Sequence, residues 1–458
     1  MSRLPISLLN SLIDTKGFDK ESFVDVHESG EQITSIRFNP AKPIKESSNT
    51  ISDKLQKEIL WSSQGFYLTQ RPSFTFDPLF HAGVYYVQEA SSMFLEKALR
   101  QSVDLSQPLK VLDLCAAPGG KSTLLQSLIS KESLLVSNEV IKSRVSILEE
   151  NITKWGGENV IVTNNDPKDF ARLKNYFDVI VIDAPCSGSG LFRRDPEAID
   201  EWSEQNVQLC SQRQQRILAD CWPSLKNGGV VIYSTCSYSK EEDEEILDWI
   251  SSNFEVENIS LKTETEWNIT KTVTAKSNHG YRFWPDKVKG EGFFIGCFKK
   301  NESDDNGQPR YKKAKIESIS KNEEAVIRPW LKPDISVRLI KQGDSILALP
   351  GFLVDELSIL NGLPLYIKQA GIRIGKIAGK DLIPDHAFAL STLINPSVVA
   401  VSLKYDDAIQ YLRKEEVQLA GKPGWALVQF EGINLGWAKI LPNRANNYYP
   451  KEWRILKK

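Results

Sequence analysis

Two cysteines in this chain stand in contexts that packing alone does not call for. Cys186 lies in Asp183-Ala184-Pro185-Cys186-Ser187-Gly188 and Cys236 in Tyr233-Ser234-Thr235-Cys236-Ser237, each just after a run of β-branched residues. A thiolate placed at the tip of a strand is a nucleophile. Upstream, Asp113-Leu114-Cys115-Ala116-Ala117-Pro118-Gly119-Gly120-Lys121 closes a similar run, where small residues and glycines let a backbone turn approach a ligand closely. Glu139, Asp166 and Asp183 are predicted to end the next three strands, and Glu139 is placed to accept hydrogen bonds from ribose hydroxyls. Three anions together suit an adenosine-bearing ligand better than a pyrophosphate, which they would repel. The glycine turn matches neither G-x-G-x-x-G nor the phosphate loop, whose first glycine is missing ahead of Lys121-Ser122. Singly, each acid reads as well as a solvated strand end or a helix cap; the set with the Gly-Gly turn points to a cofactor.

These residues need a scaffold that brings strand tips together. Between Leu109 and Lys300 short apolar runs alternate with helical segments: LKVLDLC, SLLVSNE, NVIVTNN, FDVIVIDAP, GGVVIYSTCS, FEVENI and GFFIGCFKK. That alternation predicts a parallel sheet buried on both faces, a doubly wound α/β domain. If the fourth and fifth strands are neighbours, about 4.8 Å apart, Cys186 and Cys236 face one cleft beside the cofactor turn.

The rest of the chain divides around this core. Residues 1–105 are mixed, with an amphipathic helix carrying Leu8, Leu9, Leu12 and Ile13 and a strand around ITSIRFNP; the sheet domain takes 106–300. The stretch from Asn301 to Glu324 is polar and reads as the body of a linker over 301–330. From 331 to 458 short strand-like pieces with Gly and Pro between them predict a β-rich module.

A chain of 458 residues with 41% apolar and 25% charged side chains is an ordinary globular protein of two or three domains. The formal charge of −2 argues against a histone-like binder, although residues from Leu331 onward carry 17 Lys and Arg against 12 Asp and Glu. Six scattered cysteines without a C-x-x-C pair indicate neither disulfides nor zinc, and His27, His81, His279 and His386 are too dispersed for a metal site. With no signal segment and no apolar run near the roughly 20 residues that cross a bilayer, a cytoplasmic protein with no membrane partner is expected.

The motifs APGGK, DAPCSGSG and YSTCS, in this order and spacing, resemble the Sun/Nol/Nop (RsmB/NOP) family of RNA cytosine carbon-5 methyltransferases. Val84-Tyr85-Tyr86-Val87-Gln88-Glu89-Ala90-Ser91-Ser92 matches the segment that precedes the family's catalytic domain, and the ending GWAKILPNRANNYYPKEW resembles the C-terminal module of its RsmF (YebU)-like branch, which acts on small-subunit ribosomal RNA. The resemblance implies a class I, Rossmann-like methyltransferase fold with an N-terminal RNA-binding extension and a PUA-like RNA-binding region. It implies S-adenosylmethionine as cofactor, held by Cys115 to Lys121, Glu139, Asp166 and Asp183. The partner would be ribosomal RNA or the 30S subunit, and a monomer is expected.

By the same resemblance Cys236 is the nucleophile and Cys186 helps release the product, whereas DNA cytosine methyltransferases attack with the cysteine of the Pro-Cys pair. The chemistry requires a thiol: carbon-5 of cytosine is a poor nucleophile until a thiolate has added at carbon-6. Asp183 would hold the base at ring nitrogen 3 or its amino group. No group stands out for removing the carbon-5 proton. A free cysteine is ordinarily a small core residue, and Cys115, Cys210, Cys221 and Cys297 read that way.

The base must leave its stack, so cations and aromatic faces should grip its neighbours. Candidates are Arg37, Arg193, Arg194 and the tail residues Arg444, Tyr448, Tyr449, Lys451, Trp453 and Arg454, each of which reads equally as a solvated or core-closing side chain. The acidic run from Glu241 to Glu245 is expected only to begin a helix, where negative charge is favourable. Two alternatives stay open: a methyltransferase acting on transfer RNA or another substrate, and a noncatalytic RNA-binding ribosome-assembly factor on an inherited fold.

Overall fold

The structure, a computed structural model, describes residues 4–44, 51–301 and 309–457. Its centre is a ten-stranded sheet. We label its strands β1 (Lys110–Asp113), β2 (Leu134–Asn138), β3 (Val160–Thr163), β4 (Phe177–Asp183), β5 (Leu225–Thr235), β6 (Val256–Asn258), β7 (Thr270–Val273), β8 (His279–Phe283), β9 (Phe293–Lys300) and β10 (Ile367–Ala370). The order is β7-β8-β9-β5-β4-β1-β2-β3-β10, with β6 on β9. From β5 to β3 the pairs are parallel, and the flanking pairs are antiparallel. Because the chain runs from β1 out to β3 and then crosses back to β4 on the other side of β1, the tips of β1 and β4 form a topological switch point, where such sheets bind ligands.

Alternate residues of the strands enter opposite cores. Val111, Leu135, Val179, Val181 and Ile232 pack on one face; Leu112, Val136, Ile180, Ile182 and Val231 pack on the other. Burial of both faces explains the continuous apolar runs. The crossovers are helices α1 (Gly120–Leu128), α2 (Lys142–Trp155), α3 (Glu204–Cys221) and α4 (Glu244–Asn253), with only a short 3-10 turn after β3.

The N-terminal region supplies a four-stranded antiparallel sheet in the order 55–58, 65–68, 35–38, 85–87. Its first helix, Ile6–Ser11, buries Leu8 and Leu9, while Ile13 lies outside the helix and is exposed.

On the sheet's C-terminal side the structure adds two strands, moves one piece of the β-rich region and orders part of the linker. Strands β7 and β8, TKTV and HGYRF, join the sheet although their mixed polarity hid them. The piece around PLYIK is not part of a separate module: as β10 it pairs antiparallel with β3 and extends the central sheet. The β-rich region forms two sheets, one of five strands between 317 and 384 and one of four between 400 and 447. Part of the linker, 302–308, lies outside the described residues; beyond it Glu317–Ser318 pairs with the next strand and Lys321–Ile327 is a helix. A capping box of Ser320 with Glu323 and the burial of Ile327 stabilise that helix against its polar composition. Among the described residues no helix is long and apolar enough to cross a membrane.

Candidate active site

Register places the two thiols together. Asp183, the last residue of β4, is the lateral partner of Ser234 in β5, so the loops leaving both strands start side by side. Cys186 Sγ and Cys236 Sγ lie 3.0 Å apart. The hydrogen bond to Cys236, and then burial, push the Cys186 thiol well above its ordinary pKa. The two loops meet through their backbones: Gly190 N–H donates to the Cys236 carbonyl at 2.7 Å. A side chain at Gly190 would put its Cβ 2.4 Å from that carbonyl oxygen and 2.8 Å from that of Gly292, so only glycine permits the approach.

What holds the loops is Glu242, which sequence reading left without a role. Its carboxylate accepts from Ser187 N–H (2.8 Å), Ser187 Oγ (2.5 Å), Ser237 Oγ (2.6 Å) and Gln214 Nε2 (3.2 Å). One buried anion thus clamps the residue after each cysteine. Next to it, Asp243 accepts from Thr235 Oγ1 at 2.6 Å and pairs with Arg282 at 3.0 Å, while Arg282 also grips Glu244. The acidic run does begin a helix, with Glu244 and Glu245 in the first turn of α4, but Glu242 and Asp243 ahead of it are fully buried and hold the loops. The available signal was the serine following each cysteine, two hydroxyl donors in need of an acceptor.

Asp183 accepts from Ser234 Oγ at 2.9 Å and pairs with Lys121 at 2.7 Å, leaving its side chain about a third exposed. Burial works against the Lys121 ammonium, but the Asp183 carboxylate outweighs it and holds the group above its ordinary pKa. Lys121 also stands 5.3 Å over the Phe293 ring. Gly119, at φ +116°, begins α1, and α2 braces the turn: Arg144 donates to the Ala117 carbonyl at 2.5 Å and Asn151 to that of Pro118 at 2.8 Å.

Cys115, Ala116, Ala117, Pro118, Gly120, Lys121, Asp183 and Cys236 line one cleft of ≈300 Å³. That volume, at the lower end of the roughly 300–1,000 Å³ of small-molecule sites, is of the order that takes one bound small molecule. Cys186 sits behind Cys236, out of the lining, and Glu139 is buried beside Arg144, accepting from Ile141 N–H at 2.9 Å. Asp166 is not at the end of β3, which stops at Thr163; it caps the following 3-10 turn and lies 3.6 Å from Arg216.

Sequence reading also passed over Asp113. It is fully buried at the tip of β1, bonded to Ser122 at 2.6 Å, with one carboxyl oxygen unpartnered; burial, and then the nearby Asp183 against that bond, lift it to about 7. Asp183 opens onto the cleft with Asp113 and Glu139 buried behind this end of it, an acidic setting that fits a ligand carrying sulfonium and ammonium charge. Among the described residues no group of three or more His, Cys, Asp or Glu could hold a metal ion.

Several candidate RNA contacts lie inside the protein instead. Arg37 is 2% exposed and bonds Gln88, Gly120 and Thr123, tying the N-terminal sheet to α1. Arg193 is bonded to the Gly290 and Glu31 carbonyls, and Tyr449 is buried against Tyr411. Their neighbours Arg194 and Tyr448 are exposed.

Comparison with known proteins places most of the chain. The profile of the 16S rRNA methyltransferase RsmB/F family matches residues 101–299, that of the N-terminal domain of 16S rRNA methyltransferase RsmF matches 4–90, and that of the methyltransferase RsmF PUA domain matches 398–455. The chain is 30% identical to ribosomal RNA small subunit methyltransferase F of Shewanella piezotolerans over 382 residues, covering 81% of this chain and 79% of that one. Against the enzyme of that name from Cronobacter sakazakii it is 30% identical over 385 residues, covering 81% and 78%. Among solved structures, a methyltransferase homolog from Pyrococcus horikoshii superposes with a TM-score of 0.51 at 28% identity over 65% of this chain and 100% of that one. NSun6 from the same organism shares the fold, with a TM-score of 0.54 at 19% identity over 66% and 100%.

Proposed function

The chain belongs to the 16S rRNA methyltransferase RsmB/F family, and we propose that it uses S-adenosylmethionine to methylate carbon-5 of a cytidine in small-subunit ribosomal RNA through a covalent adduct with Cys236. The observation that carries this reading is the 3.0 Å approach of two thiols beside the Asp183–Lys121 pair. S-adenosylmethionine, when bound, supplies an electrophilic methyl group. Cys115 to Lys121 shape its cradle, Glu139 accepts from ribose hydroxyls, and Asp166 and Asp183 complete the acidic set.

Cys236 adds through its sulfur to carbon-6 of the extruded base, and the electron pair moves toward ring nitrogen 3, where a proton is taken up. Asp183 holds the base at nitrogen 3 or its amino group and so stabilises that adduct. Lys121 places a cation next to the sulfur that carries negative charge on arrival and on departure. After carbon-5 has gained its methyl group its proton must leave, the carbon-6–sulfur bond breaks, and the Cys236 thiolate is restored. Cys186, in contact with that sulfur, assists the release.

Cys236→Ala should abolish methyl transfer, while Cys186→Ala should accumulate an enzyme–RNA complex that survives denaturing electrophoresis. Normal turnover by the Cys236 variant would refute the assignment. Sequencing RNA for lost 5-methylcytidine at base resolution, in cells without the protein, separates this target from transfer RNA. It also excludes a noncatalytic assembly role.

A further inference from the structure

A methylated adduct must lose its carbon-5 proton to a base, and one carboxylate in the cleft has oxygens that no hydrogen bond occupies. Strand β9 enters alongside the catalytic loop: Phe294 is the lateral partner of Thr235, so Phe293, Gly292 and Glu291 run beside Cys236 and the residues after it. Phe293 and Glu291, two residues apart, both line the cleft with Cys236, Asp183 and Lys121, as alternation along an extended segment requires. Gly292 between them lies against Tyr238, whose ring a Cβ there would meet at 2.5 Å. The backbone thus fixes Glu291 on the β9 side of the thiol.

Among the described residues three carboxylates line this cleft, Glu89, Asp183 and Glu291. Asp183 is taken by Lys121 at 2.7 Å and Ser234 at 2.9 Å. Glu89 is taken by the N–H groups of Ser91 (2.8 Å), Ser92 (2.8 Å) and Glu291 (2.9 Å). Glu291 is 7% exposed; its Oε2 is shut from solvent without a hydrogen bond, 3.6 Å from Arg193, which leaves Oε1 to open on the cleft. The groups facing this carboxyl are Arg193, Arg194, Glu89 and the Tyr238 phenol. Burial, opposed by Arg193, reinforced by Glu89 and opposed again by Arg194, lifts it to about 7. Burial and then Glu291 push the Tyr238 phenol well above its ordinary pKa, so it keeps its own proton. A carboxylate with an open oxygen and an affinity for protons near neutrality is suited to accept one in a reaction.

We propose, resting on the functional reading above, that Glu291 is the general base that takes the carbon-5 proton from the methylated adduct, directly or across one water. The carbon-5–hydrogen electron pair becomes the carbon-5–carbon-6 double bond, and the carbon-6–sulfur pair leaves as the Cys236 thiolate. The proton stays on Glu291 until it passes to solvent, and nitrogen 3 returns the proton it took up on addition. Release is thereby divided, with Cys186 serving the sulfur and Glu291 the carbon.

The test uses a small-subunit RNA fragment whose target cytidine carries tritium at carbon-5, and S-adenosylmethionine with a radiocarbon methyl group. Wild type should release one tritium to water for each methyl transferred. Glu291→Gln should bind S-adenosylmethionine with unchanged affinity and still transfer methyl, but release tritium at least roughly 100-fold more slowly. A denaturation-resistant complex holding both labels should therefore accumulate. In single turnovers of wild type, release following methyl transfer should slow as pH falls through about 7, because protonated Glu291 cannot accept; the Gln variant should lack this limb. Glu291→Asp, which keeps the carboxyl, should recover part of the release together with the limb. The inference is overturned if Glu291→Gln, folded by its melting temperature, releases tritium as fast as wild type, or if its complex holds tritium without methyl. Should both variants fail to fold, wild type decides: release independent of pH between about pH 6 and 8 overturns it. Failure of wild type to methylate the fragment would instead remove the functional reading, and this inference with it.

Discussion

Glu242 shows how one side chain can govern a reaction whose atoms it does not touch. It receives four hydrogen bonds, three of them from the serines that follow Cys186 and Cys236 and one from Gln214. Charged acceptors of this kind contribute roughly 1.5–3 kcal/mol per bond, and an unsatisfied buried donor costs about 1–3 kcal/mol. Glu242→Ala should therefore lower unfolding stability by about 3–5 kcal/mol, measured by urea denaturation. Glu242→Gln, nearly isosteric, should stay folded but present an N–H toward one serine. Its covalent complex with RNA should form at least roughly tenfold more slowly, with KM little changed, because about 1.4 kcal/mol of lost positioning suffices for that factor. Equal losses in kcat and KM would point to general damage rather than to positioning of the thiols.

At the scale of elements, Arg282 in β8 locks the start of α4 to the sheet. Its guanidinium is 2% exposed and bridges Asp243 and Glu244, while also donating to the Tyr238 carbonyl at 2.9 Å. Because Asp243 in turn receives Thr235, the residue before Cys236, the bridge fixes where β5 ends and the catalytic loop begins. Removing one partner from such a cluster leaves buried charge uncompensated, at about 3–5 kcal/mol. Arg282→Met should show that loss at neutral pH in chemical denaturation. A variant of wild-type stability would mean that water or rearrangement satisfies the two acids, and the bridge would lose its place as the anchor of this loop.

Across the whole molecule, the C-terminal half is bonded into the catalytic domain rather than tethered to it. Strand β10 completes the central sheet beside β3, and Tyr366 exchanges hydrogen bonds with Asn164 and Asn165. Near this seam His386 packs edge-on against Tyr449 and Trp453, with both ring nitrogens shut from solvent and unpartnered. Burial, reinforced by Lys154, Lys42 and Lys414, lowers its pKa to about 3. The unfolded chain thus binds a proton below about pH 6.5 that the folded protein refuses until about 3, so stability falls as pH drops through 6.5. His386→Phe removes that penalty. Between pH 7.5 and pH 5 wild type should lose about 2 kcal/mol more than this variant. The comparison isolates one ring because His27 and His81, both lowered to about 4 and shifted in the same direction, remain in both proteins. An identical pH dependence in the two proteins would show that the ring is hydrated.

The sequence by itself determined the parallel strands, their order of use and the residues at their tips, because apolar runs buried on both faces and glycine turns leave a local signature. Cys186, Cys236, Asp183 and the turn from Cys115 to Lys121 could all be named from spacing. What escaped it was pairing at a distance. Glu242 reads as one acid in a run of five until the fold puts Ser187 and Ser237 against it, and Arg37 and Arg193 read as RNA contacts until their burial is seen. Strand β10, more than 200 residues after β3, could not be assigned to the sheet by any local pattern. Helix and strand propensities act over a few neighbours, but the free energy of burying a charge depends on which distant donors arrive with it, and only the tertiary structure decides that.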